Sequence, residues 1–130
     1  MEPLIKLFLE ERGKYVFGPG RAELLRAVAA LGSLNKAAQE QGMSYRWAWG
    51  RIREAERALA VTLLMSDKEP GRGNTKILTP EAHELLEWFT ALEKEMRRLS
   101  EEARATMPSW LCPKAKPGSS AAKAGRTRPL

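Results

Sequence analysis

Residues 32–49 read GSLNKAAQEQGMSYRWAW, and they restrict the fold more than any other stretch of the chain. Gly32 supplies the left-handed residue that a helix C-terminus favours. Ser33 follows with a hydroxyl able to accept a free backbone N–H of the next helix. Gly42 and Ser44 repeat that stop and start, and Met43 between them is placed to plug inward. The helix left in the middle, over 34–41, is short and carries Ala37 and Ala38, whose small side chains let a neighbouring helix approach closely. Two such helices joined by a three- or four-residue turn containing glycine form a helix-turn-helix signature.

A third helix is expected over 45–60. On a 3.6-residue wheel Tyr45, Ala48, Ile52, Ala55 and Leu59 share the core side. Arg46, Gly50, Arg53 and Arg57 cluster opposite, with Trp47 and Glu54 on one flank. Trp49 falls at the edge of the apolar stripe and is expected to pack, whereas Trp47 is expected to point outward with the arginines.

The flanks complete the pattern. Residues 4–17, LIKLFLEERGKYVF, alternate around ERGK and predict a β-hairpin. GPG at 18–20 is a break, and a helix over 21–31 presents Leu24, Leu25, Val28 and Leu31 on one face. VTLLM and TKIL are β-compatible segments joined by a polar, Gly-rich loop, a hairpin in the position of a wing. Thr79-Pro80-Glu81 opens a last helix that reaches about residue 105. Such a helix is about 37 Å long, more than this domain can cover, so a second copy of the same helix is the economical partner, with Leu85, Phe89, Leu92, Met96 and Leu99 at the seam. The alternative is a helix wrapped wholly on its own core. The fold class is mainly α with small β: a winged helix-turn-helix over 1–107 with an N-terminal β-hairpin and a long C-terminal dimerisation helix. The basic segment 108–130, rich in Pro, Gly, Ser and Ala, reads as a disordered tail.

Charge and composition exclude several classes. The net charge of +6 is concentrated in Lys114, Lys116, Lys123, Arg126 and Arg128, and the remainder is segregated. Residues 44–76 hold seven Lys/Arg against four Asp/Glu, and residues 81–104 hold four against seven. A basic patch suits a polyanion, although solvated surface is the plain alternative. One cysteine, Cys112, and one histidine, His83, leave no disulfide framework, no zinc ligand set and no Cys/His or Ser/His/Asp constellation. No metal, cofactor or enzymatic activity is expected. No apolar run approaches a transmembrane length, and the N-terminus lacks the form of a signal peptide, so a cytoplasmic location and no membrane partner are expected.

A winged helix-turn-helix inserts its second motif helix into the major groove of double-stranded DNA, which is ~12 Å wide. Arg46, Arg51, Arg53 and Arg57 can then reach bases or phosphates. Tyr45 and Trp47 offer apolar surface, and Gly50 removes a side chain where the helix meets the groove floor. Ser33 and Ser44 expose helix N-termini to phosphates. Arg72 and Lys76 on the wing are natural phosphate or minor-groove contacts. Arg53 and Arg57 can equally pair with neighbouring glutamates on the helix surface. A protein-interaction module and a non-specific DNA-architectural protein remain open on the same scaffold.

At GSLNKAAQEQGMSYRWAW the chain resembles the DNA-binding domain of the ModE-type molybdate-responsive regulators. The GS, the Ala pair, GMSY and the following AW carry the likeness, which extends through GPGRAELL and LTPEA to the end of the long helix. A more distant kinship is to the LysR-type winged helix. The resemblance implies a homodimeric transcription regulator that reads an operator through residues 45–60 and pairs through its long helices together with its N-terminal strands. Molybdate-binding domains of that family lie C-terminal to this region, so no molybdate site is expected within this chain.

Overall fold

The computed structural model describes residues 1–67 and 75–111. Its elements follow the order β1 (Leu9–Glu11), β2 (Lys14–Phe17), α1 (Pro19–Leu31), α2 (Leu34–Glu40), α3 (Tyr45–Leu59), β3 (Leu64–Ser66), β4 (Lys76–Leu78) and α4 (Pro80–Ala105). The strands form two separate antiparallel pairs, β1 with β2 and β3 with β4. This is a winged helix-turn-helix, mostly helical with two small hairpins. Arg72, the greater part of the wing loop, Cys112 and the basic segment from 112 lie outside the described residues.

The first hairpin closes through Arg12 and Gly13, both with positive φ (53° and 80°), the backbone pattern of a tight two-residue turn. Past it, Val16 and Phe17 enter the core. Gly32 ends α1 in the left-handed region (φ 68°), and its N–H donates to the Val28 carbonyl. Ser33 caps α2, and Gly42 (φ 71°) turns the chain into α3. Thr79 caps α4, its Oγ1 accepting the Ala82 N–H at 3.1 Å. The same hydroxyl donates to the Thr62 carbonyl at 2.7 Å and so ties the start of α4 to the segment that leads into β3.

The chain divides into two compact units, Lys6–Glu93 and a smaller one made of Met1–Ile5 with the segment from Lys94 onward. In the larger unit Leu24, Leu25, Val28, Leu34, Ile52, Leu63, Phe17 and Phe89 enclose one apolar core. Phe17 and Phe89 meet edge to face at 5.1 Å, a geometry worth about 0.5–1.5 kcal/mol beyond burial. Arg26 fastens α1 to α4 by donating to Thr90 Oγ1 at 2.7 Å and Glu93 Oε1 at 2.8 Å. Partial burial works against its charge, but the Glu93 and Glu23 carboxylates outweigh that and raise its pKa above the ordinary arginine value. In the smaller unit Arg104 pairs with Glu2 at 3.3 Å, and Arg98 bridges Glu95 and Glu102.

Three expectations need correction. Tyr45 is 47% exposed rather than on the core face. Helical side chains lean toward the N-terminus, so in the first turn the ring overhangs the helix end instead of lying on a preceding turn. Leu31, the last residue of α1, is 40% exposed and borders an open cavity instead of the core. Phe89, assigned to a dimer seam, is fully buried inside its own chain and is taken up by Phe17.

Phe89→Ala is expected to lower the unfolding free energy by about 3–5 kcal/mol. The loss should not vary with protein concentration, because the cavity opens within one chain. Urea denaturation at two concentrations, with the slope checked for constancy, measures this.

Candidate nucleic-acid interface

Helix α3 begins where Ser44 accepts the Trp47 N–H on Oγ at 3.0 Å. Its inner side is made of Ala48, Ile52 and Ala55, all essentially inaccessible. Trp49 is half-buried against the core and Trp47 is 56% exposed, so the two tryptophans differ as their helical phases predict. Arg46, Arg53 and Arg57 lie exposed on the outer side. Gly50 lies among them, and a Cβ built there meets nothing within 4 Å. The helix surface at that point is bare backbone facing open space.

The arginines of α3 are not equivalent. Arg51 has Nη2 3.3 Å from Glu54 Oε1, and its guanidinium carbon lies 4.3 Å from the Trp47 ring centroid. Arg53 has Nε 3.8 Å from Glu56 Oε1 and lies over Trp49 at 5.5 Å. Arg46 and Arg57 have no ion-pair partner among the described residues. A half-exposed pair such as Arg53–Glu56 is worth about 0–1 kcal/mol, so it yields readily to a phosphate. Glu56 has a second task, since Oε2 accepts the Leu63 N–H at 2.8 Å and holds the base of the wing to α3.

Ser33 and Lys76 come together at another place. The Ser33 hydroxyl accepts the Lys36 N–H at 3.1 Å. The Lys76 N–H donates to the Gly32 carbonyl at 3.1 Å, and Nζ donates to Ser66 Oγ at 3.3 Å. Both residues line a cavity of about 650 Å³ that Lys36 and His83 also border. The residues expected at the α4 seam are distributed over the two units. Leu85 and Leu92 are half-buried in the larger, while Met96 and Leu99, the latter 51% exposed, belong to the smaller.

The sequence reading missed Arg21. It is only 6% exposed, and its Nη2 donates to Glu54 Oε1 at 2.6 Å, with a partner 33 residues away. Nothing in the local pattern reveals a pairing at that separation. Arg51 and Glu54, three positions apart, and Trp47 and Arg51, four apart, were within reach of helical spacing.

Taken together, the wing, the capped helix pair and the exposed arginine face define a winged helix-turn-helix DNA-binding domain of the transcription-regulator class. Residues 20–83 match the model of the bacterial regulatory helix-turn-helix proteins of the LysR family, and the domain is LysR-like. The molybdenum-pterin-binding protein MopB of Rhodobacter capsulatus is 30% identical over 89 residues. That alignment takes in 68% of this chain, which spans about a third (33%) of the length of that curated relative. Among solved structures, the CbnR DNA-binding domain in complex with DNA superposes with a TM-score of 0.54 at 23% identity, covering 67% of this chain and 94% of that one. ArgP from Mycobacterium tuberculosis aligns at 25% identity over 68% of this chain and 30% of its own, with a TM-score of 0.46, too loose to argue from. Among the described residues no helix is long and apolar enough to cross a membrane.

Ser44→Ala is expected to lower stability by about 1 kcal/mol through loss of the α3 cap, and Ser44→Asp to retain most of it. Thermal melts of the two variants beside the parent chain make the comparison.

Proposed function

We propose that this chain is a sequence-specific, homodimeric regulator of the ModE-like kind, reading a palindromic site in double-stranded DNA through α3. The observation that carries the reading is the outer face of that helix, where Arg46 and Arg57 stand without carboxylate partners among the described residues, around the bare backbone of Gly50. Cations left unpaired on a surface that also omits a side chain suit a close approach to a polyanion. A major groove admits such a helix, and arginine is the side chain that pairs bidentately with guanine. The occurrence of DNA in the CbnR complex and the likeness to MopB support the same reading.

In this scheme Arg46 reads a base edge, with Trp47 packed against a thymine methyl or a sugar. Arg53 and Arg57 bind phosphates or the outer bases, and Tyr45 lies along the groove wall. Ser33, Ser44 and Lys76 fix the domain on the backbone. Pairing of two chains involves α4 through Leu85, Leu92, Met96 and Leu99, and sets the recognition helices about 34 Å apart, one turn of DNA. Arg72 lies outside the described residues and keeps its role as a phosphate contact on sequence grounds alone.

Selection of the purified chain against a random duplex library at two salt concentrations tests the proposal. Recovery of an inverted repeat with half-sites about one turn apart is the expected result. Enrichment of nothing, with binding that vanishes at moderate salt, would reduce the arginines to a general electrostatic surface. On the recovered site Arg46→Ala should cost about 1–3 kcal/mol while changing affinity for random DNA little. Gly50→Ala should raise the melting temperature, since alanine is favoured over glycine inside a helix by about 1 kcal/mol. The same substitution should weaken specific binding by placing a methyl group in the approach path.

A further inference from the structure

Glu54 stands between two arginines of different elements. Its Oε1 accepts from Arg21 Nη2 at 2.6 Å and lies 3.3 Å from Arg51 Nη2. Arg21 itself is anchored from behind. Its Nη1 donates to the Val16 carbonyl on β2 at 2.5 Å, and its guanidinium carbon lies 4.6 Å from the Tyr15 ring centroid. On the other side Arg51 lies 4.3 Å over Trp47. One continuous line of contacts therefore runs from the first hairpin, through α1, to the outer face of α3.

The two ends of this line differ in what they need. Arg21 has Glu54 as its charged partner, and a buried guanidinium requires one. Arg51, with a side chain 30% accessible, would remain soluble without any partner. Holding it on the shared carboxylate oxygen and over an aromatic ring costs side-chain freedom and gives no evident return to the core. The return lies in presentation. An arginine stacked on a ring offers the edge of its planar fork in one fixed direction. Nη1 of Arg51 has no hydrogen-bond partner among the described residues and can meet an acceptor on DNA.

We infer that Glu54, with Arg21 behind it, is a positioning residue that holds Arg51 over Trp47 before DNA arrives, so that the two side chains meet the groove as one preassembled unit. This rests on the proposal that α3 reads DNA. It concerns residues that act through Arg51, and Glu54 itself touches no base.

The sign of one substitution separates positioning from simple electrostatics. Glu54→Gln removes a negative charge from a helix facing a polyanion, so charge alone makes every duplex bind more tightly. Positioning makes the selected site bind about tenfold more weakly, the scale of one good arginine–base contact, while random DNA binds as well or better. Arg51→Ala should lose a similar factor on the selected site, and the double variant no more than Arg51→Ala alone. Arg51→Lys keeps the charge without the planar fork. It should behave as Arg51→Ala on the selected site and as the parent on random DNA, and it serves if Glu54→Gln melts too low to assay. A parallel rise of both affinities in Glu54→Gln, or additive losses in the double variant, overturns the inference.

A second readout needs no DNA. In the free chain the Arg51 Nε–H resonance should be displaced by the Trp47 ring current. In Glu54→Gln it should return toward the free-arginine position while the Ile52 methyl signals stay in place. If the parent chain already shows the free-arginine position, the inference fails even where DNA is bound specifically. If no duplex is ever selected, the proposed function fails, and the resonance still decides whether Glu54 positions Arg51.

Discussion

The exposed arginine face of α3 depends on how little volume lies behind it. Ala37, Ala38 and Ala48 are wholly buried and Ala55 nearly so. Methyl groups at those positions leave little between the backbones of α2 and α3, which favours a close approach of the two helices. A larger side chain there would push the helices apart at a cost of about 1–3 kcal/mol, and would move the arginine face with them. Seven residues are too few for α2 to be stable alone. It exists because Ser33 caps it, Leu34 anchors it and the alanines fit it between its neighbours.

Electrostatics adds a second layer to that frame. The glutamates of α3 are not a neutralising background, since each is tied to another element. Glu56 receives backbone N–H groups at the start of β3, and Glu54 receives the buried Arg21. The arginines beside them are thereby sorted into held and free. Arg51 is held by a carboxylate and a ring, Arg53 loosely so, and Arg46 and Arg57 have no ion-pair partner among the described residues. A count of charges along the helix conceals this division, which comes entirely from tertiary contacts.

Most of the architecture was legible because it is written in local chemistry. The Gly-Ser pairs at 32–33 and 42–44, the Thr-Pro-Glu start of α4 and the alternation around Arg12-Gly13 each act over a few residues, and each produced the element expected of it. The outward Trp47 and packed Trp49 followed from helical phase alone. Phase failed at helix ends. Tyr45 and Leu31 have the correct angle but no neighbouring turn or element to cover them. It also misplaced Phe89 on α4, whose apolar stripe is continuous in sequence although its buried residues, Ala82, Leu86 and Phe89, all lie in its first half. Phe89 belongs to the core and Leu99 is open, and spacing cannot tell one from the other. The link from Arg21 to Glu54 was invisible for a related reason. Nothing local marks an arginine in a helix's first turns as buried.

The division of α4 has a consequence for how such a regulator responds. Ala82, Leu86 and Phe89 are enclosed by residues of their own chain, so the core is complete without waiting for a second copy. If two chains pair as proposed, folding and pairing are then separate equilibria, unlike those of an obligate dimer, in which they are one. On the proposed pairing, the fraction of chains able to span two half-sites rises with the amount of protein made. The concentration of the chain then enters its occupancy of such a paired site directly, through the law of mass action.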